Sequence, residues 1–195
     1  MSRAGLTPGR VVEAAEQMVD EVGLQQLTLA ALAARLGIRQ PSLYKHIDSL
    51  DALRHRIAVR AKAELADVLG QAAIGRAGAD AVAAMSHAYR GWALEHPRRY
   101  QAVQRAPVPG DVEDEAASDR VVRVVAAVMD GYGLAGDDAI DAIRALRAAL
   151  HGFVSLETGG GFGLSANIDR SFDRLVAGLA AGLQEWNQGI ERISG

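Results

Sequence analysis

Apolar residues recur at three- and four-residue steps through almost every segment of this 195-residue chain, and no stretch sustains the alternation of a half-buried strand. The expected fold is therefore all-α. The punctuation agrees. Thr7-Pro8 reads as an N-cap followed by proline at the first helical position, where a missing N–H costs nothing, and Gly23 ends that helix. Between them Val11, Ala15, Met18, Val19 and Val22 form one apolar stripe. Thr28 caps a second, short helix whose inner face is Leu29, Leu32, Ala33 and Leu36 and whose stop is Gly37. A third opens near Gln40-Pro41 and runs through Leu43, Tyr44 and Ile47. Asp48-Ser49 then restarts the chain as a longer helix over 50–70.

After a pause at 73–78, a helix over 80–95 must end at His96-Pro97, because the residue before proline is pushed away from helical angles. A short helix over 98–105 follows. Pro107-Val108-Pro109-Gly110 with the acidic run 111–115 is predicted to be a flexible loop. Helices over 118–132, 137–157 and 167–186 complete the chain, about nine in all. The last two are separated by the glycine-rich stretch 159–163. There is no internal repeat.

No apolar run approaches the roughly 20 residues of a membrane span, and residues 1–10 lack the apolar centre of a signal peptide, so a cytoplasmic protein without membrane partners is expected. The absence of cysteine excludes disulfides, a thiolate nucleophile and zinc–sulfur sites. A net charge of −3 looks wrong for a nucleic-acid binder until it is divided along the chain. Residues 1–60 hold eight Lys/Arg against six Asp/Glu, and the remainder thirteen against eighteen. A mildly basic head thus precedes an acidic body, and the phosphate field acts on the local patch rather than the total.

Helix, tight turn, helix sets a second short helix at a steep angle to the first, from which it can enter a major groove. Here the turn is Gly37-Ile38-Arg39. The helix after it carries Arg39, Gln40, Ser42, Tyr44, Lys45 and His46, able to bond base edges or phosphates, with Leu43 and Ile47 left to anchor it. From spacing alone, a three-helix bundle with a polar outer face fits equally well.

The run Leu27-Thr28-Leu29-Ala30-Ala31-Leu32-Ala33-Ala34-Arg35-Leu36-Gly37-Ile38, then Pro41-Ser42-Leu43-Tyr44-Lys45-His46-Ile47 and Leu53, resembles the N-terminal signature of TetR-family repressors over about residues 8–60. The resemblance implies a three-helix DNA-binding domain over 1–49 and a larger helical ligand-binding and dimerisation domain over 50–195, linked by the helix 50–70. It places Thr28, Gln40, Pro41, Ser42, Tyr44, Lys45 and His46 on the DNA face, and Arg39 joins them as a DNA-binding candidate. Tyr44, His46 and the helix start at Thr28 would meet phosphates. Arg39, Gln40 and Lys45 would read bases, with Pro41 and Ser42 in close contact with thymine methyls or base edges. One departure stands out: where the family often has a phosphate-binding lysine, this chain has Leu50, with Asp48 and Asp51 beside it. Arg3 and Arg10 are the candidates to replace that contact.

Further on, Trp92-Ala93-Leu94-Glu95-His96-Pro97-Arg98-Arg99-Tyr100 and His151-Gly152-Phe153-Val154-Ser155-Leu156-Glu157 resemble the WHG subclass of the family's C-terminal domains, with Leu150 where that tripeptide has tryptophan. His151, Ser155 and Glu157 invite an enzymatic reading, but no Gly-x-Ser-x-Gly elbow accompanies them, so no enzyme and no cofactor are expected. A histidine on an apolar helix is more often a core or pocket residue than a metal ligand. Trp92, His96, Tyr100, His151, Phe153, Glu157 and Phe162 would suit a pocket for a small, largely apolar ligand, though the aromatics fit plain core nearly as well.

The final helix carries the stripe Ile168, Phe172, Leu175, Leu179, Leu183 and Trp186, interleaved with Ala177, Gly178, Ala180, Ala181 and Gly182. With Ile140 and Ile143 of the preceding helix, it would build a four-helix interface in a homodimer; burial within one chain is the alternative. The function these readings imply is a dimeric repressor on a palindromic double-stranded operator, released by a small molecule. A DNA binder without ligand, and a helical module that has lost DNA binding, are the other classes; Arg39, Lys45, Tyr44 and His46 argue against the second.

Overall fold

The computed structural model describes residues 6–193, with side chains through Trp186; Arg3 lies outside the described residues. All regular structure among them is helical: α1 (Pro8–Val22), α2 (Leu29–Leu36), α3 (Leu50–Ala73), α4 (Gly78–Glu95), α5 (Pro97–Tyr100), α6 (Val112–Asp130), α7 (Gly136–Thr158) and α8 (Ile168–Ile193), with 3₁₀ segments at Leu24–Gln26, Gln40–Lys45 and Gln101–Gln104. None of the described helices is long and apolar enough to cross a membrane.

The chain forms two compact units. One runs to Ala63 and adds His96–Ala117; the other joins Glu64–Glu95 to the chain from Ser118 onward. Helix α3 is continuous across the first boundary.

In the N-terminal unit Val11, Ala15, Met18 and Val19 of the α1 stripe meet α2, the 3₁₀ segment at 40–45 and the start of α3, in a core with Leu32, Leu43, Leu53 and Ile57 among others, while Val22 at the helix end is exposed. Removing such side chains from water is the main stabilising term, roughly 1.5–3 kcal/mol each. Polar ties are added around this core. Arg35 makes a two-pronged contact with Glu21, 2.7 Å on both arms, joining α2 to the end of α1. Asp20 accepts from Arg99 at 2.9 Å and sits 3.3 Å from the His96 ring, fixing α5 on α1.

One expected loop is a helix start. The acidic run at 111–115 opens α6: Asp111 accepts the Asp114 N–H at 3.0 Å, and Glu113, Asp114 and Glu115 occupy the first turn, where negative charge suits the exposed N–H groups of a helix. Of the expected loop, residues 107–111 stay outside the helices, with Asp111 at the entrance to α6.

In the second unit, α4, α7 and α8 pack together around Arg90. Its guanidinium donates to both oxygens of Glu157, at 2.7 and 2.5 Å, and to Asp169 at 2.7 Å, and it lies 4.9 Å from the centre of the Phe172 ring. These partners, led by the Glu157 hydrogen bonds and opposed by burial, hold the Arg90 pKa above its ordinary value.

Candidate nucleic-acid interface

Thr28 is extended, at φ −127° and ψ 151°, and its hydroxyl accepts the Ala31 N–H at 3.2 Å, so α2 starts where the capping residue dictates. The helix stops at Gly37, at φ +67°, a left-handed conformation that glycine adopts without the penalty a Cβ would bring. There the Ile38 N–H reaches back to Ala33 O at 3.0 Å and closes the helix end. Arg39 returns to extended backbone, and Pro41 enters the first turn of the 3₁₀ segment Gln40–Lys45. Leu43 is fully buried and Ile47 nearly so, pinning the segment to the core from one side.

What remains is a polar outer surface. Arg39, Gln40, Pro41, Lys45 and Tyr44 are exposed, the last at 55%, while Ser42 and His46 are half-buried. No described residue engages the side chains of Arg39, Gln40, Tyr44, Lys45 or His46 in a hydrogen bond or ion pair. An exposed tyrosine beside unengaged cations is an arrangement free to bond an anionic partner. Thr28 is exposed too, at the start of α2. Leu50, the position that departs from the expected lysine, packs half-buried against the core, so α3 begins with an anchor rather than a cation.

The residues expected to line a ligand pocket are distributed over both units. His96 and Tyr100 belong to the N-terminal one, His96 in the ionic group with Asp20 and Arg99, and Tyr100 buried. In the second unit Trp92 is buried and donates its indole N–H to Glu64 at 3.1 Å. Glu157 is committed to Arg90, and His151 lies 3.4 Å from the Ser155 hydroxyl one turn along α7. Phe153 and Phe162 do come together, with ring centres 4.8 Å apart, and both line a cavity of about 230 Å³ at the α7–α8 connection. Arg90 is the residue the sequence reading missed. A lone arginine in an apolar helix was its only signal.

The residues expected at a dimer interface differ in their exposure within the single chain. Phe172 and Leu183 are buried within the single chain, Phe172 against His87 and Phe153. Ile143, Ile168, Leu175 and Leu179 are half-buried, and Ile140 is exposed. The exposed side of α8 carries Ala177, Gly178, Ala181 and Gly182 instead. Of the stripe on α8, Phe172 and Leu183 are thus covered by the chain itself, and Trp186 stays exposed.

Residues 11–57 match the family described as bacterial regulatory proteins, tetR family, and residues 82–179 match the tetracyclin repressor-like C-terminal domain. An uncharacterized HTH-type transcriptional regulator of Mycobacterium tuberculosis is 40% identical over 93% of this chain and 83% of its own length. Another, from Bacillus subtilis, is 34% identical over 96% and 98%. A TetR variant of Acinetobacter baumannii, solved in complex with minocycline, shares the fold with a TM-score of 0.68 at 22% identity, covering 94% of this chain and 99% of that one. With models matching both its N-terminal and C-terminal portions, and with these relatives along most of its length, the chain belongs to the TetR family of transcriptional regulators.

Proposed function

We propose that the protein is a homodimeric repressor that binds a palindromic operator and leaves it when a small molecule binds. The observation that carries this reading is the exposed polar surface of Arg39–His46, held by Leu43 and Ile47 beside the Thr28-capped start of α2. Residues 1–49 read DNA in this scheme. Tyr44, His46 and the start of α2 set register on phosphates, Arg39, Gln40 and Lys45 read base edges, and Pro41 and Ser42 lie against them. Residues 50–195 supply the ligand site and the dimer contact, and the stretches Trp92–Tyr100 and His151–Glu157 support placing the chain in the WHG subclass. The protein works in the cytoplasm, with the DNA it controls.

One recognition segment reads too few base pairs for specificity, and a twofold dimer doubles the readout. The exposed small residues of α8, with Ile140 and Leu156 exposed on α7, supply surface for the second copy. The solved relative holding minocycline supports a ligand in this fold. Helix α3 is the element suited to carry ligand occupancy to the reading surface, because it is one continuous helix from Leu50 to Ala73. DNA must then weaken ligand binding by the factor that ligand weakens DNA binding.

The test is selection of the bound sequence from random duplexes, followed by a small-molecule screen for release. A selected palindrome and a releasing compound are expected. No selected sequence would remove the repressor reading, and a site that no ligand releases would leave a constitutive DNA binder.

A further inference from the structure

The cavity between α7 and α8 has a composition that narrows what can occupy it. Phe153, Phe162, Leu164, Ala166 and Ile168 line it together with loop glycines, and Ser171 is the one lining residue with a polar side chain. The loop is held down as it leaves α7. The Gly161 N–H donates to Leu156 O at 2.6 Å, and a Cβ on Gly161 would stand 3.0 Å from Leu156 Cδ2 and 3.2 Å from its carbonyl oxygen. A glycine there keeps the turn tight and sets the next residue, Phe162, on Phe153.

Size, polarity and charge each select. An enclosed apolar cavity of about 150 Å³ holds benzene; this one, about 230 Å³ and open to solvent beside the exposed Leu164 and Ser171, has room for one ring with a small substituent. The Ser171 hydroxyl already donates to Asn167 O at 3.1 Å, which leaves its lone pairs for a ligand that donates. An anion finds little here. The buried cation of this region, Arg90, is bound by Glu157 and Asp169. The start of α8 is capped by Asn167, which accepts the Arg170 N–H at 2.8 Å, and Asp169 occupies its first turn. Arg170 and Arg174 are exposed, where pairing contributes little.

We propose that this cavity binds a small uncharged aromatic bearing a hydrogen-bond donor, the class of phenols and indoles, with its ring against Phe153 and Phe162 and its O–H or N–H donated to Ser171. The site deepens the ligand-responsive reading above and rests on it for its regulatory meaning, whereas binding itself does not.

The experiment uses the full chain without DNA and three probes, phenol, toluene and benzoate, with affinity read by ligand-observed NMR. Phenol should bind about five- to tenfold more tightly than toluene, the worth of one ordinary hydrogen bond, and benzoate more weakly than either. Ser171→Ala should reduce phenol to the level of toluene and leave toluene unchanged. Ala166→Trp should fill the cavity and abolish both, with thermal melting verifying that each variant is folded. Undiminished phenol binding in either variant, or benzoate binding as tightly as phenol, would overturn the site. A second arm adds phenol to the complex with the selected operator. Phenol that binds the free protein yet leaves DNA affinity unchanged overturns this site's regulatory role and keeps the site; phenol that never binds overturns the site and keeps the repressor reading for another ligand.

Discussion

Lys62 donates to Asp114 at 2.5 Å, and both side chains are almost wholly withdrawn from water. The second Asp114 oxygen accepts the Val108 N–H at 3.0 Å, so a single carboxylate ties the middle of α3 to the loop that leads into α6. Removing Lys62 takes the hydrogen-bonded counter-ion from a buried carboxylate. Lys62→Met should therefore cost about 3–5 kcal/mol in urea unfolding, whereas Lys62→Met with Asp114→Leu should recover most of the loss. A double variant as unstable as the single one would show that the pair contributes more than mutual neutralisation.

The same carboxylate predicts a response to acid. Burial pushes Asp114 up, but the Lys62 hydrogen bond, the Val108 N–H and the charges of Lys62 and His55 outweigh it and hold the carboxyl below its usual value. A lowered folded pKa gives stability that is complete above the unfolded carboxylate value, about 3.9, and is lost as pH falls toward the folded one. Asp114→Asn should thus be less stable at neutral pH and lose less stability between about pH 5 and 2. Unfolding measured at stepped pH checks this, and parallel profiles would exclude Asp114 as a source of the acid response.

Arg90 makes two contacts of very different worth. Its Glu157 partner is nearly buried, while the Asp169 side chain is 75% exposed. Arg90→Lys, which loses the two-pronged geometry, should cost several-fold more stability than Asp169→Ala, which should cost under about 1 kcal/mol. Chemical unfolding of both variants decides it; equal losses would place the weight on the exposed arm.

On the reading surface, Tyr44→Phe and His46→Ala should weaken binding to all duplexes alike, whereas Arg39→Ala or Gln40→Ala should relax preference at particular positions by about 1–3 kcal/mol. Because Tyr44 is 55% exposed, its variant should keep stability within about 0.5 kcal/mol of the parent. Selected-sequence profiles separate the two classes. An altered profile for Tyr44→Phe with an unchanged one for Gln40→Ala would reverse the assignment of anchor and reader.

The two sides of α8 should separate folding from assembly. Phe172→Ala removes a ring buried inside the protomer and should cost about 3–5 kcal/mol of stability. Ala181→Glu, on the exposed side, should shift sedimentation toward monomer with little loss of helix content. Dimers of undiminished strength in Ala181→Glu would move the interface elsewhere.

Much of the N-terminal unit was legible because its signals are local. Thr7 and Thr28 mark helix starts by their hydroxyls and Gly37 a helix end by its backbone, and Leu43 and Ile47 declare the inner side of the segment they anchor. The acidic run at 111–115 was misread because prolines upstream signal a loop, while acids that favour a helix start carry no periodicity. The second unit yielded less for a different reason. An amphipathic stripe states that one side of α8 is covered and not by what, so Phe172 and Val176 in the protomer cannot be told from residues that await a second copy. Nor does spacing show that Glu157, 67 residues away in the chain, answers Arg90.

In the repressor proposed above, the 3₁₀ winding of Gln40–Lys45 sets a limit on what each copy can spell. Three residues per turn align side chains in columns, Pro41 with Tyr44 and Ser42 with Lys45, while Leu43 alone is pinned inward and Gln40 before it stays exposed. At about 2 Å of rise per residue the six residues extend about 12 Å, the length of three or four stacked base pairs. Two such words, read in opposite directions by the proposed dimer, would be a short address in any genome. The distance between them then becomes part of the address, and a change in the spacing of the two half-sites should be as damaging to recognition as a change in their letters.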